Sequence, residues 1–115
     1  MTLEQIEELF DARCGDLKIV AKEKQFKKFV DSCNTKCINH KLNLHNMFLG
    51  PITARLIANW INRRQISLTH LMLGQNNLGD EGLECLANAI SSSKTLVAVD
   101  LSQNAFTPRC SQLIA

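Results

Sequence analysis

Cys33, Cys37, His40 and His45 bring two thiols and two imidazoles into one short stretch, spaced C-x3-C-x2-H-x4-H. Thiolate and imidazole are the donors of a tetrahedral zinc site. Zinc modules of this ligand set place a long segment between the Cys pair and the His pair, and that segment builds the fold around the ion. Here only two residues intervene. Cys33 also completes an apolar helical stripe, and His45 falls at an outward strand position. A buried thiol and an exposed imidazole are the expectation, with a zinc-binding module as the remote rival.

The other reactive groups lack company. Cys85 lies inside a helical stretch. Cys110 sits near a helix start, where a thiol pKa can fall, but no His or Asp/Asn signature surrounds it. Gly79-Asp80-Glu81-Gly82 has neither the glycine spacing nor the lysine of a phosphate loop; its glycines suit turning and close packing. Arg63-Arg64-Gln65-Ile66-Ser67 has the form of a basic-directed phosphorylation site, a pattern met often by chance. The two arginines suit the end of a helix, where cations meet the negative end of its dipole. No catalytic residue, metal ligand or cofactor is therefore expected, and the chain is read as a non-enzyme.

Composition narrows the class further. The 115 residues suit one small domain, 45% hydrophobic and 21% charged. Aromatics make up 5%, with one Trp and no Tyr, so the core must be mostly aliphatic. A formal net charge of +2 gives no reason to expect a nucleic-acid partner. Lys22, Lys24, Lys27 and Lys28, with Glu23 among them, read as a solvated helix face. Five cysteines, an odd number at irregular spacing, follow an acidic start without an apolar leader core. A reduced, cytoplasmic protein is expected. No apolar run approaches a membrane span, so no membrane role is expected.

These residues are positioned by an internal repeat. Leu68-Thr-His-Leu-Met-Leu-Gly-Gln-Asn-Asn-Leu78 and Leu96-Val-Ala-Val-Asp-Leu-Ser-Gln-Asn-Ala-Phe106 align at an offset of 28 residues, with Asn76 on Asn104. Leu71 and Leu73 alternate, so both point to one face of a short strand. Asn76 then ends the strand, where its amide can satisfy backbone groups left open by a sharp turn. Leu83, Leu86, Ala87 and Ile90 follow at i, i+3, i+4, i+7, one face of a helix. Asp80 is placed to cap that helix, and Thr107-Pro108 to open the next one. A degenerate copy lies upstream, where Leu42 and Leu44 align with Leu71 and Leu73 at an offset of 29. There Met47 holds the Asn position, with Asn46 as a partial substitute, and Ala54, Ile57, Ala58 and Ile61 continue as a helix.

This L-x-x-L-x-L-x-x-N-x-L pattern with a whole helix per repeat resembles the leucine-rich repeats of the ribonuclease-inhibitor-like subclass. The resemblance implies an α/β leucine-rich-repeat solenoid, with parallel strands on the concave face and helices on the convex face. Asn76 and Asn104 would form its structural ladder. We divide the chain into an N-terminal helical cap (residues 1–36) and about three repeats (37–67, 68–95 and 96–115, the last incomplete). In the cap, Thr2 and Gln5 form a capping box, Gly15 ends a first helix and Asp16 caps the next stretch. Phe26, Phe29, Val30 and Cys33, at i, i+3, i+4 and i+7, form the apolar face of a second helix. Trp60 is expected at an edge of the helical layer or against the N-terminal segment. Two helices before such repeats also resemble the N-termini of some ciliary and cytoskeletal leucine-rich-repeat proteins.

The resemblance implies a protein-protein interaction or scaffold module, in a ciliary or cytoskeletal assembly. The alternative is a regulatory module of the ribonuclease-inhibitor or small-GTPase-regulator kind. Partner-binding positions on the concave face are Lys41, Asn43 and His45, then His70 and Met72, then Asp100 and Ser102, with Gly74 and Ala98 between them. Gln112-Leu113-Ile114 would leave an apolar edge, so further repeats or self-association are expected there.

Overall fold

The computed structural model describes residues 1–106 apart from Ala21. Helices α1 (Leu3–Leu17) and α2 (Glu23–Lys36) come first. Strand β1 (Lys41–Asn43), helix α3 (Pro51–Asn62), strand β2 (His70–Met72), helix α4 (Gly79–Ser92) and strand β3 (Ala98–Asp100) follow in alternation. The strands make one parallel sheet in the order β1-β2-β3. Lys41 stands beside His70 and His70 beside Ala98, so the sheet register repeats the 29- and 28-residue offsets of the sequence. The chain is thus α/β, with a helix crossing between each pair of parallel strands.

Leucine alternation explains the sheet's inner face. Leu42, Leu44, Leu71 and Leu73 are each 1% exposed or less, and they meet Ile57, Leu78 and Leu86, which are fully buried. Helices α3 and α4 lie side by side over this layer. Gly82 allows that approach, because a Cβ there would stand 3.1 Å from Ala54 Cβ and from Leu78 Cβ. On α4 the buried residues are Gly82, Leu83, Leu86 and Ala89, while Ala87 and Ile90 are half-buried.

Helix α1 opens with both hydrogen bonds of a capping box. Thr2 Oγ1 accepts the Gln5 amide at 3.1 Å and Gln5 Oε1 accepts the Thr2 amide at 3.0 Å. The helix does not stop at Gly15. It runs to Leu17 and closes on Lys18, which takes the left-handed conformation with φ 56°. A non-glycine residue carries the turn because the Lys18 and Ile19 amides satisfy the Gly15 and Cys14 carbonyls. Asp16 does not cap α2 either. Its carboxylate reaches the start of α3, accepting from the amides of Gly50 (2.8 Å), Ile52 (2.8 Å) and Thr53 (3.0 Å). Nor does Asp80 cap α4, since the helix begins at Gly79 and Asp80 lies within its first turn. Trp60 is buried, and its indole N–H points to Glu8 Oε2 at 3.3 Å, so it packs against α1. Thr107-Pro108, Cys110 and the 112–114 stretch lie outside the described residues.

Candidate functional site: the outward face of the sheet

Each strand is three residues long, so each offers only two outward side chains before the chain turns. Lys41 and Asn43 are exposed, and His70, Met72, Ala98 and Asp100 are half-buried. One step past the strands come His45, Gly74 and Ser102, at matching places in the three turns.

Those turns are held by two asparagines. Asn76 Oδ1 accepts the amides of Met47 (2.9 Å) and Leu49 (3.1 Å). Its Nδ2 donates to the carbonyls of Leu44 (2.9 Å), Leu73 (2.9 Å) and Gly74 (3.2 Å). Asn104 Nδ2 donates to Leu73 (2.8 Å), Leu101 (3.1 Å) and Ser102 (3.0 Å), and its Oδ1 accepts the Leu78 amide at 3.2 Å. Each amide thus binds its own turn and the preceding one. Met47, in the corresponding place of the first unit, contributes backbone alone; Asn46 beside it is exposed with φ 53° and does not substitute.

His45 crosses the face. Its Nε2 lies 3.6 Å from Asp100 Oδ2, although β2 runs between their strands. Gly74 makes the crossing possible, because a Cβ there would stand 2.6 Å from His45 Nδ1 and 3.1 Å from Ser102 Oγ. Sequence reading missed this role; a glycine at an outward turn position flanked by His and Ser was its only signal. The Asp100 carboxyl is held below the usual carboxylate range, first by the backbone amide of Ser102 (2.9 Å to Oδ1), then by the Ser102 hydroxyl, with a smaller contribution from His45.

The cluster does not have the order of a serine relay. A serine relay needs the imidazole between hydroxyl and carboxylate. Here Asp100 takes the bonds of Ser102, and His45 meets Asp100 from the other side. The zinc-type residues also go to separate tasks. Cys33 is buried in α2, His40 Nδ1 lies 3.1 Å from the Ser67 carbonyl oxygen, and His45 faces Asp100. Among the described residues no group of three or more His, Cys, Asp or Glu could hold a metal ion. Burial pushes the Cys14 thiol above its ordinary range, which makes it a poor nucleophile. No helix among the described residues is long and apolar enough to cross a membrane.

Residues 65–87 match the Leucine Rich repeat family model. The matched segment contains β2, Asn76 and the first part of α4, where the inward leucines, the buried amide and the close-packed Gly82 are all present. Comparison with curated proteins and with solved structures gives no significant match. Leucine-rich-repeat domains generally mediate protein-protein interaction, and the chain is consistent with a non-catalytic binding module.

Proposed function

We propose that this chain is a non-catalytic module that binds a protein partner through the outward face of its sheet. One observation carries the reading: three turns locked by buried asparagine amides present a fixed row of mixed polar and apolar side chains, His70, Met72, Asp100 and His45 among them. Preformed surfaces of this kind bind without paying to order themselves. Lys41, Asn43 and Ser102 extend the row. The parallel strands are then the concave side of a short solenoid, residues 1–36 its helical cap, and residues 37–67, 68–95 and 96–115 its repeats.

The finer reading is a scaffold component of a cytoplasmic filament or ciliary assembly. The two helices that precede the repeats support it, and so does the outer strand β3, where Val99 is 36% exposed and Val97, just before it, 79%. Such an edge accepts further repeats or a second copy.

The test is affinity capture from cell extract with the wild-type chain and a Met72→Asp variant. A partner retained by the first and lost by the second supports the reading. A partner bound equally by both overturns the assignment of the face, and a purified chain that turns over a substrate overturns the non-catalytic reading. Co-capture of filament proteins supports the scaffold version; co-capture of a nuclease or a GTPase points to a regulatory module instead.

A further inference from the structure

The loops that follow α3 and α4 enclose a cavity of about 330 Å³. Arg64 and Ser67 line it from the first loop, Ser93 and Lys94 from the second, and Leu68 and Leu96 give it an apolar part. The two loops are tied together, because Thr95 Oγ1 donates to the Leu68 carbonyl at 2.8 Å. Each is also fixed on its own side. The Arg64 and Gln65 amides donate to the Ile61 and Trp60 carbonyls, and His40 Nδ1 meets the Ser67 carbonyl. Ser93 Oγ accepts the amides of Thr95 and Leu96. The cavity is therefore preformed, as ligand sites generally are.

Its charge is one-sided. Both loops come from acid-free stretches, with no Asp or Glu from residue 32 to 79 or from 85 to 99. Helix α1 does carry acids, but its start borders a separate cavity through Thr2 and Gln5. Glu8 is turned to the Trp60 indole N–H, and Glu81 of α4 pairs with Arg55. Among the described residues, the side chains of Arg64, Lys94 and Ser67 make no hydrogen bond or ion pair. Cations after a helix ordinarily answer the negative end of its dipole. Here the last carbonyls are already met. Backbone amides take those of Asn59, Trp60, Ile61 and Ile90, and Ser92 Oγ donates to those of Asn88 and Ala89. Two cations and a hydroxyl are thus left to the cavity itself.

We propose that this cavity binds a small organic phosphate monoester. The phosphate lies between Arg64 and Lys94 and accepts from the Ser67 hydroxyl, while the organic part covers Leu68 and Leu96. A phosphate monoester carries about −1.5 to −2 at pH 7, which answers two cations better than a singly charged carboxylate does. The volume lies near the lower end for ligand cavities, which favours a small ligand. None of these residues belongs to the outward face of the sheet, so the two sites can fail separately.

The test is titration of the isotope-labelled chain with phenyl phosphate, followed through its amide NMR signals. Signals of residues 64–68 and 93–96 should shift saturably, with a dissociation constant on the order of 1 mM. Benzoate and benzyl alcohol should bind at least about tenfold more weakly, having one charge and none. Inorganic phosphate should also bind more weakly, since it leaves the leucines uncovered. Arg64→Gln and Lys94→Gln should each lower the affinity for phenyl phosphate about tenfold, the loss expected of one charge-assisted contact. Both positions are exposed, and the same spectra report whether the fold is kept. If Arg64→Gln proves unfolded, Lys94→Gln carries the same expectation. Arg63→Gln, exposed and outside the cavity lining, should change the affinity by less than about twofold. The proposal is overturned if no saturable shift appears, if the shifts map elsewhere, or if Arg63→Gln weakens binding as much as Arg64→Gln. Benzoate or inorganic phosphate binding as tightly as phenyl phosphate also overturns it. A phosphotyrosine peptide held more tightly by the same residues overturns the small-molecule assignment and gives the cavity to a modified protein.

Discussion

Asp16 and Thr53 meet at 2.6 Å, hydroxyl to carboxylate, across 37 residues of sequence. The same carboxylate takes three amides at the α3 N-terminus, where the helix dipole favours a negative charge. Asp16 thereby ties α1 to the first strand-helix unit. Gly50 makes room for it, since a Cβ there would stand 2.8 Å from the carboxyl group.

Asp16→Ala should therefore act as a lost helix cap on α3, although residue 16 belongs to α1. We expect destabilisation of about 2 kcal/mol, the upper range for a single cap, because three amides and a hydroxyl lose one acceptor. Urea denaturation measures it. Asp11→Ala, at an exposed position of α1, should change stability by about 0.5 kcal/mol or less.

Asn76→Ala should be far more severe. It leaves two amides and three carbonyls without their side-chain partner, several of them buried, and each such group costs about 1–3 kcal/mol. A loss of at least about 3 kcal/mol is expected, which would unfold much of a marginally stable chain. Asn104→Ala removes four bonds and should cost less. Circular dichroism melts of the two variants, side by side, test the order; equal midpoints would refute it.

Gly82→Ala and Gly74→Ala should differ, because the atoms they meet differ. At Gly82 the added carbon meets Ala54 Cβ and Leu78 Cβ in packed structure, and overpacking there costs about 1–3 kcal/mol. At Gly74 it meets the His45 ring, which can swing away. The stability cost should be under about 1 kcal/mol for a half-exposed pair. The loss appears instead in the His45 ring signals by NMR, which should cease to respond to Asp100→Asn.

The pH dependence follows from Asp100. Its folded-state pKa is lowered, chiefly by the Ser102 amide. Such a group adds stability above the unfolded carboxylate value of about 3.9, and the contribution is lost as pH falls through the folded value. Denaturation midpoints measured downward from pH 5 should therefore drop less steeply in Asp100→Asn than in the wild type. The difference should be small, since the side chain is 40% exposed.

Much of the fold was legible because the repeat encodes local periodicity. Alternating leucines at 71 and 73 name the buried face of a strand, the 28- and 29-residue offsets name the register, and the i, i+3, i+4 spacing names the helix face. Thr2 and Gln5 announce a helix start because both partners of the box lie within one turn. What the sequence left open depends on groups far apart in the chain. Asp16 has no mark that directs it past α2 to α3, and only the packing of α1 against α3 brings them together. Glycine at 74 reads as a gap until the His45 ring is seen lying across it to Asp100. Local patterning determined which faces are buried and in what register; tertiary contact decided which polar side chain serves which distant backbone, because hydrogen-bond partners are selected by distance in space rather than by spacing along the chain.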